Sequence, residues 1–179
     1  MPDQPNESEF VERLRAAHAE MAASMAARWN RSVPLGDLVG DRWARARACG
    51  FGEGTSVYDS ALIIGDVRVG RNTWIGPGVI LDGSGGLEIG DNCSICAGVQ
   101  VYTHNTVEWA TSMGERPAVR APVRIGSGCY IGPQAVVSMG VEIGDRTVVG
   151  ALSLVNRSLP AGVRAWGVPA RVQSAGGGH

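Results

Sequence analysis

From Val57 onward an aliphatic residue returns at every sixth position, and this period constrains the fold more than any other feature of the chain. The series runs Val57, Ile63, Val69, Ile75, Leu81 and Leu87. After a two-residue slip at Gly83-Ser84-Gly85-Gly86 it resumes at Ile89, Ile95 and Val101, and again from Ile125 through Ile131, Val137, Ile143, Val149 and Val155. An α-helix cannot use such a period, because six residues rotate its face by about 240°. Short strands joined by tight corners can. The next residue is usually Gly, as at Gly70, Gly76, Gly90, Gly126, Gly132, Gly144 and Gly150, and it is expected to supply a backbone conformation that a side chain resists. Four residues after the aliphatic stands a small or β-branched residue, such as Thr73, Val99, Cys129 or Thr147.

Composition matters here mainly for what it excludes. Gly fills 26 of the 179 positions, about twice its usual ~7% share. With 44% hydrophobic residues and no Gly-X-Y triplet, those glycines serve a packed core and not a disordered or collagen-like chain. The net charge of −1 leaves no footprint for nucleic acid. All 16 basic residues are Arg, so no lysine is present for Schiff-base or P-loop chemistry, and a phosphate would fall to guanidinium groups or backbone amides. The N-terminal text is polar, and no apolar run approaches the ~20 residues of a membrane span. Four cysteines do not make a disulfide scaffold, and a cytoplasmic location is expected.

The repeats, at 57–104 and 123–166, resemble those of the hexapeptide-repeat acyltransferases. The resemblance implies an all-β solenoid, a left-handed parallel β-helix with three hexapeptides per triangular coil and about five coils here. It also implies a homotrimer with sites between subunits. The expected organisation is an N-terminal helical segment over 1–52, the β-helix over 53–172 and a flexible tail over 173–179. Asn6 with Glu9 reads as a capping box opening an amphipathic helix over 7–30, with Phe10, Leu14, Ala17, Met21 and Met25 on one stripe. A second short helix is predicted from Asp41 to Ala48, stopped at Gly50. The Met and Phe stripe is expected to pack against the coil or a neighbouring subunit.

Between Val101 and Val123 the register fails, although Ile89 and Ile125 stay in phase. A protruding loop is predicted over 104–122, and an insertion of this length within a solenoid points to function. His104 opens it. In sugar and xenobiotic acetyltransferases of the resembled family a His at this place is the catalytic base, and the text from Ile89-Gly90-Asp91-Asn92 to Val101-Tyr102-Thr103-His104 is similar to that motif. The chemistry needs such a group. A sugar hydroxyl does not attack a thioester unaided, and an ordinary imidazole, titrating near pH ~6.5, accepts a proton at neutral pH.

By the same resemblance, acetyl-CoA is the co-substrate. Tyr130 and Gly132 stand where the family lines pantetheine, and Ala151 stands where a backbone amide meets it. Asn156 and Arg157 replace a common Thr-Lys pair near the nucleotide. Arg171 ends a Gly-x-Pro-Ala-Arg signature at Gly167–Arg171 and is a phosphate candidate. Pro133 departs from relatives that offer a backbone N–H near the thioester, since proline has none. On the acceptor side, Asp82 either orients His104, binds sugar hydroxyls or simply forms the turn before Gly83. Trp109 stacks on a sugar face or anchors the loop, and Tyr102 and Asn105 flank the base.

Cys93 and Cys96 form a C-x-x-C, but Cys93 and Cys129 fall in the small-residue slot and Cys96 in the Gly slot, which points to packing. No metal is expected. A γ-carbonic-anhydrase-like site needs three His on neighbouring coils, whereas His18 lies in the N-terminal helix and His179 is the last residue. A non-catalytic solenoid subunit is the third class weighed. The leading expectation is an acetyl-CoA-dependent O-acetyltransferase acting on a sugar or polysaccharide precursor, of the galactoside/maltose acetyltransferase type. Antibiotic O-acetylation and amino-sugar N-acetylation are the alternatives.

Overall fold

The computed structural model describes residues 7–173, so Asn6 of the expected capping box and the tail at 174–179 lie outside the described residues. Two compact units are present, Met1–Asp41 and Arg42–His179. The first contains α1 (Glu7–Trp29) and a short α2 (Leu35–Val39), which the sequence pattern did not announce. Along α1, Phe10 and Leu14 are exposed while Met21 and Met25 are half-buried.

The second unit opens with α3 (Arg42–Ala48), which packs on the first strand of the solenoid. Its Arg45 guanidinium donates to the carbonyl of Tyr58 and, at 2.7 Å, to that of Ala61, and its Ala46 is buried. Gly50, at φ +74°, ends the helix as predicted, and the Phe51 N–H turns back to the Ala46 carbonyl at 3.0 Å.

From there the aliphatic period becomes three stacked columns of a parallel solenoid, a left-handed β-helix of about six turns. On the first face Val57, Ile75, Ile95, Ile131, Val149 and Ala165 stand in register. The second face stacks Ile63, Leu81, Val101, Val137 and Val155. The third stacks Val69, Ile89, Ile125 and Ile143, closed by a bridge to Leu159. All of these point inward and, apart from half-buried Ile63, are buried. Each such side chain is worth about 1.5–3 kcal/mol of transfer free energy. The two-residue slip at 83–86 is a bulge, where the pairing steps from Gly65↔Gly83 to Val67↔Leu87.

The glycines after each aliphatic do not have the role expected of them. None of Gly70, Gly76, Gly90, Gly126, Gly132, Gly144 and Gly150 has a positive φ; the left-handed conformation falls two residues later, at Asn72, Gly78, Asn92, Gly128, Gln134, Arg146 and Leu152. The reason for glycine is space. A Cβ on Gly126 would lie 2.7 Å from the Asp145 nitrogen, and one on Gly132 2.6 Å from that of Ala151. Coils about 4.8 Å apart leave no room for a side chain aimed along the axis.

The small-residue slot at the corner between the third and first faces also has a polar function. Thr73 Oγ1 donates to the Gly90 carbonyl (3.0 Å), Cys93 Sγ to Gly126 (3.1 Å), Cys129 Sγ to Gly144 (3.2 Å) and Thr147 Oγ1 to Pro160 (2.8 Å). Each hydroxyl or thiol satisfies a carbonyl of the next coil, and both cysteines are buried. A hydrogen bond to Cys93, together with burial, pushes the Cys129 thiol up.

Candidate active site

Asp82 and Thr103-His104 follow Leu81 and Val101, which pair directly, so they meet at one corner on successive coils. The Asp82 carboxylate is buried and fully partnered. Its Oδ1 accepts from the Ser84 N–H (3.0 Å) and hydroxyl (2.5 Å), and its Oδ2 from the Thr103 N–H (2.9 Å). His104 Nδ1 lies 2.6 Å from the same Oδ2. Thr103 Oγ1 donates to the Asp82 carbonyl at 2.9 Å and accepts from the Gly85 N–H at 2.8 Å, bracing the bulge against the next coil.

Burial by itself would raise the Asp82 pKa, but the Ser84 hydroxyl, the Thr103 N–H, the His104 ring and the Ser84 N–H together hold the carboxyl well below the usual carboxylate range. An ionised Asp82 keeps the imidazole hydrogen on Nδ1, which leaves Nε2 as the free acceptor. The His104 side chain is 36% exposed and Asp82 1% exposed, so the imidazole presents one edge outward and the carboxylate stays behind it. Of the roles weighed for Asp82, this geometry matches the one that orients His104; no oxygen of its carboxylate is left for a sugar hydroxyl.

The excursion is built, not a plain loop. His104–Asn105 pairs antiparallel with Val119–Arg120, and α4 (Val107–Thr111) lies between them. Asn105 uses both ends of its amide within the chain, with Oδ1 accepting from the Val107 N–H (3.1 Å) and Nδ2 reaching Met139 Sδ (3.3 Å). Its observed part is to start α4. Trp109 is exposed on α4 beside Gly114, whose N–H bonds to the Trp109 carbonyl at 2.8 Å. The half-buried Tyr102 gives its hydroxyl hydrogen to Gln100 Oε1 at 2.7 Å.

The residues expected to hold CoA divide between two edges of the second face. Tyr130 opens its strand on the first face, and Gly132 and Ala151 stand at the corner that follows that face. Asn156 and Arg157 lie on the edge that carries Tyr102 and His104, two coils further along, because Tyr102 donates its N–H to Val137 and Ser138 to Val155. Arg171 sits on the closing antiparallel strand opposite Trp166. One chain therefore brings Asn156 and Arg157 to the His104 edge but not Tyr130, Gly132 or Ala151. Gly132 and Gly150 are closed over by the next coil, and exposed Tyr130, Leu152 and Trp166 stand along that corner.

Reasoning from sequence missed Ser84, Thr103 and Arg120. Ser84 was hidden inside a Gly-rich turn, and Thr103 follows no repeat slot. Arg120 lies far from His104 in sequence and opposite it in space. Among the described residues no three His, Cys, Asp or Glu side chains gather as a metal site, and no helix is long and apolar enough to cross a membrane.

Residues 122–157 match the bacterial transferase hexapeptide (six repeats), and residues 62–103 the hexapeptide repeat of succinyl-transferase. The putative colanic acid biosynthesis acetyltransferase WcaF of Escherichia coli (strain K12) is 32% identical over 122 residues, 59% of this chain and 67% of that protein. Galactoside O-acetyltransferase of the same organism is 34% identical over 109 residues, 60% of this chain; the chain spans about half, 53%, of that relative. Among solved structures, the hexapeptide-repeat acetyltransferase VCA0836 of Vibrio cholerae O1 biovar eltor, complexed with acetyl coenzyme A, superposes with a TM-score of 0.63 at 27% identity, covering 94% of this chain and 90% of that one. The N-acyltransferase AntD of Bacillus cereus, in complex with dTDP and 3-hydroxybutyryl-CoA, gives a TM-score of 0.64 at 24% identity over 70% of this chain and 71% of that one, a likeness of fold alone.

Proposed function

Because the chain belongs to the hexapeptide-repeat transferases, we propose that it is an acetyl-CoA-dependent O-acetyltransferase acting on a hydroxyl of a sugar or polysaccharide precursor, with His104 as general base. The observation that carries this reading is the His104–Asp82 contact of 2.6 Å at the mouth of the excursion. A buried carboxylate fixes the tautomer, and the exposed edge of the ring presents Nε2 to an acceptor. In the proposed step Nε2 takes the hydroxyl proton while the acceptor oxygen bonds to the acetyl carbon. The carbon–sulfur bond breaks, and the proton passes from His104 to the departing thiolate.

Two further observations support the acceptor class and the co-substrate. The relatives with the better-matched sequences are named for galactoside and colanic acid acetylation, and VCA0836 holds acetyl-CoA. The exposed Tyr130, Leu152 and Trp166 along the corner of Gly132 and Ala151 suit an extended pantetheine arm, and Asn156, Arg157 and Arg171 are the candidates for its nucleotide end. Pro133 offers no N–H to the reacting carbonyl, so the oxyanion takes its donor from elsewhere. Since Tyr130, Gly132 and Ala151 lie on the edge away from His104, the reading places each complete site between two subunits of a homotrimer. All four cysteines are free, in keeping with a cytoplasmic setting.

The test is an acetyl-transfer screen against galactosides, nucleotide sugars, amino sugars and antibiotics, with thermal stabilisation by CoA measured in parallel. The reading expects CoA to raise the melting temperature and a sugar hydroxyl to be the best acceptor. Acetylation of amines alone, or no response to CoA, contradicts it.

A further inference from the structure

We propose that Arg120 makes this site selective for acceptors that carry an anionic group, a carboxylate or a phosphate, close to the hydroxyl that is acetylated. The inference rests on His104 being the reacting base. In the antiparallel pair that opens the excursion, Arg120 stands directly opposite His104. The flanking hydrogen bond runs from the Ala121 N–H to the Thr103 carbonyl at 3.0 Å, which makes His104/Arg120 a non-hydrogen-bonded pair. Side chains of such a pair project on the same side of the ribbon with Cβ atoms about 4.5–5.5 Å apart. The Arg120 side chain thus leaves the ribbon on the same side as the imidazole, from an exposed residue.

No anion among the described residues answers it. The Asp82 carboxylate is spent on Ser84, Thr103 and His104, and Glu108 is bound to Arg116 at 2.5 Å. Glu115 lies at the far turn of the excursion, beyond α4. Arg120 has no ion-pair partner among the described residues. An acceptor that brings its own anion gains a bidentate contact, for which a planar guanidinium is suited. A neutral acceptor does not.

The experiment compares wild type with Arg120→Gln on matched acceptors: glucuronate and glucose 1-phosphate as anions, methyl glucoside as the neutral partner, and a nucleoside diphosphate sugar to separate phosphate from carboxylate. In the variant kcat/KM for the preferred anionic acceptor is expected to fall about tenfold to a hundredfold, mainly through KM, with the neutral acceptor changed less than about twofold. Arg120→Lys should restore a phosphate acceptor better than a carboxylate one. Equal losses on charged and neutral acceptors, or no loss on the anions, overturn the proposal. If no acceptor is acetylated by either protein, the O-acetyltransferase reading fails separately. Direct titration of glucuronate and glucose 1-phosphate then decides for Arg120: weaker binding to the variant supports it, and equal binding overturns it.

Discussion

His104 Nδ1 and Asp82 Oδ2 are 2.6 Å apart across two successive coils, with the carboxylate buried and the ring half out. The first prediction concerns this pair. Asp82→Asn keeps the size of the side chain but no longer holds the hydrogen on Nδ1 by charge. Turnover should fall about 10²- to 10⁴-fold, with the KM for acetyl-CoA little changed. Steady-state kinetics beside a melting curve checks this; near-normal kcat in a folded variant would show that Asp82 does not set the state of the ring.

The same carboxyl should shape stability against pH. Its pKa is depressed in the folded protein, so its contribution is present above the unfolded value of about 3.9 and is lost as pH falls through the folded value. Wild type should therefore exceed Asp82→Asn in urea midpoint at pH 7, and the gap should narrow below about pH 4. A gap that stays constant down to pH 3 would mean that the charge of Asp82 does not matter to the fold.

The corner column between the third and first faces makes a prediction about thiols. Cys129 Sγ donates to the Gly144 carbonyl at 3.2 Å, as Thr147 Oγ1 does to Pro160 one coil later. Cys129→Thr should be tolerated, since it keeps a donor in the slot. Cys129→Val should cost about 1–3 kcal/mol, because the Gly144 carbonyl loses its buried partner. Chemical denaturation of the two variants separates the cases; if valine were the milder change, the column would be mere packing.

Two kinds of glycine can be told apart by substitution. Gly126 has no space for a Cβ, which would sit 2.7 Å from the Asp145 nitrogen, whereas a Cβ on Gly78 would meet nothing nearer than the Gly98 nitrogen at 4.0 Å. Gly126→Ala should destabilise by about 1–3 kcal/mol. Gly78→Asn should cost less, because Asn72 and Asn92 already hold the equivalent left-handed turn. Melting temperatures of both variants would reveal a reversed order.

The inward columns were legible because every rung repeats the same demand, one aliphatic on each face. The place of His104 at the mouth of the excursion was legible because that beat stops there. The cause of the glycine beat was not: in sequence a left-handed turn and a close approach of coils both ask for glycine, and only the stacking shows that Gly132 meets Ala151. Nor was the polar duty of Cys93 and Cys129, since a thiol passes for a small apolar residue until its carbonyl partner on the next coil is seen. The excursion was harder still. Its antiparallel pairing of His104 with Arg120 carries no period, and short ribbons of this kind are set by the scaffold that holds their ends.

The central claim is that His104 moves the proton in acetyl transfer. Its most direct test is the rate of CoA release, with the best acceptor from the screen, for wild type and His104→Ala at matched folding and CoA affinity. The account predicts a loss of about 10²-fold or more in kcat. A variant that is folded, binds CoA normally and retains turnover within about tenfold of wild type would contradict it.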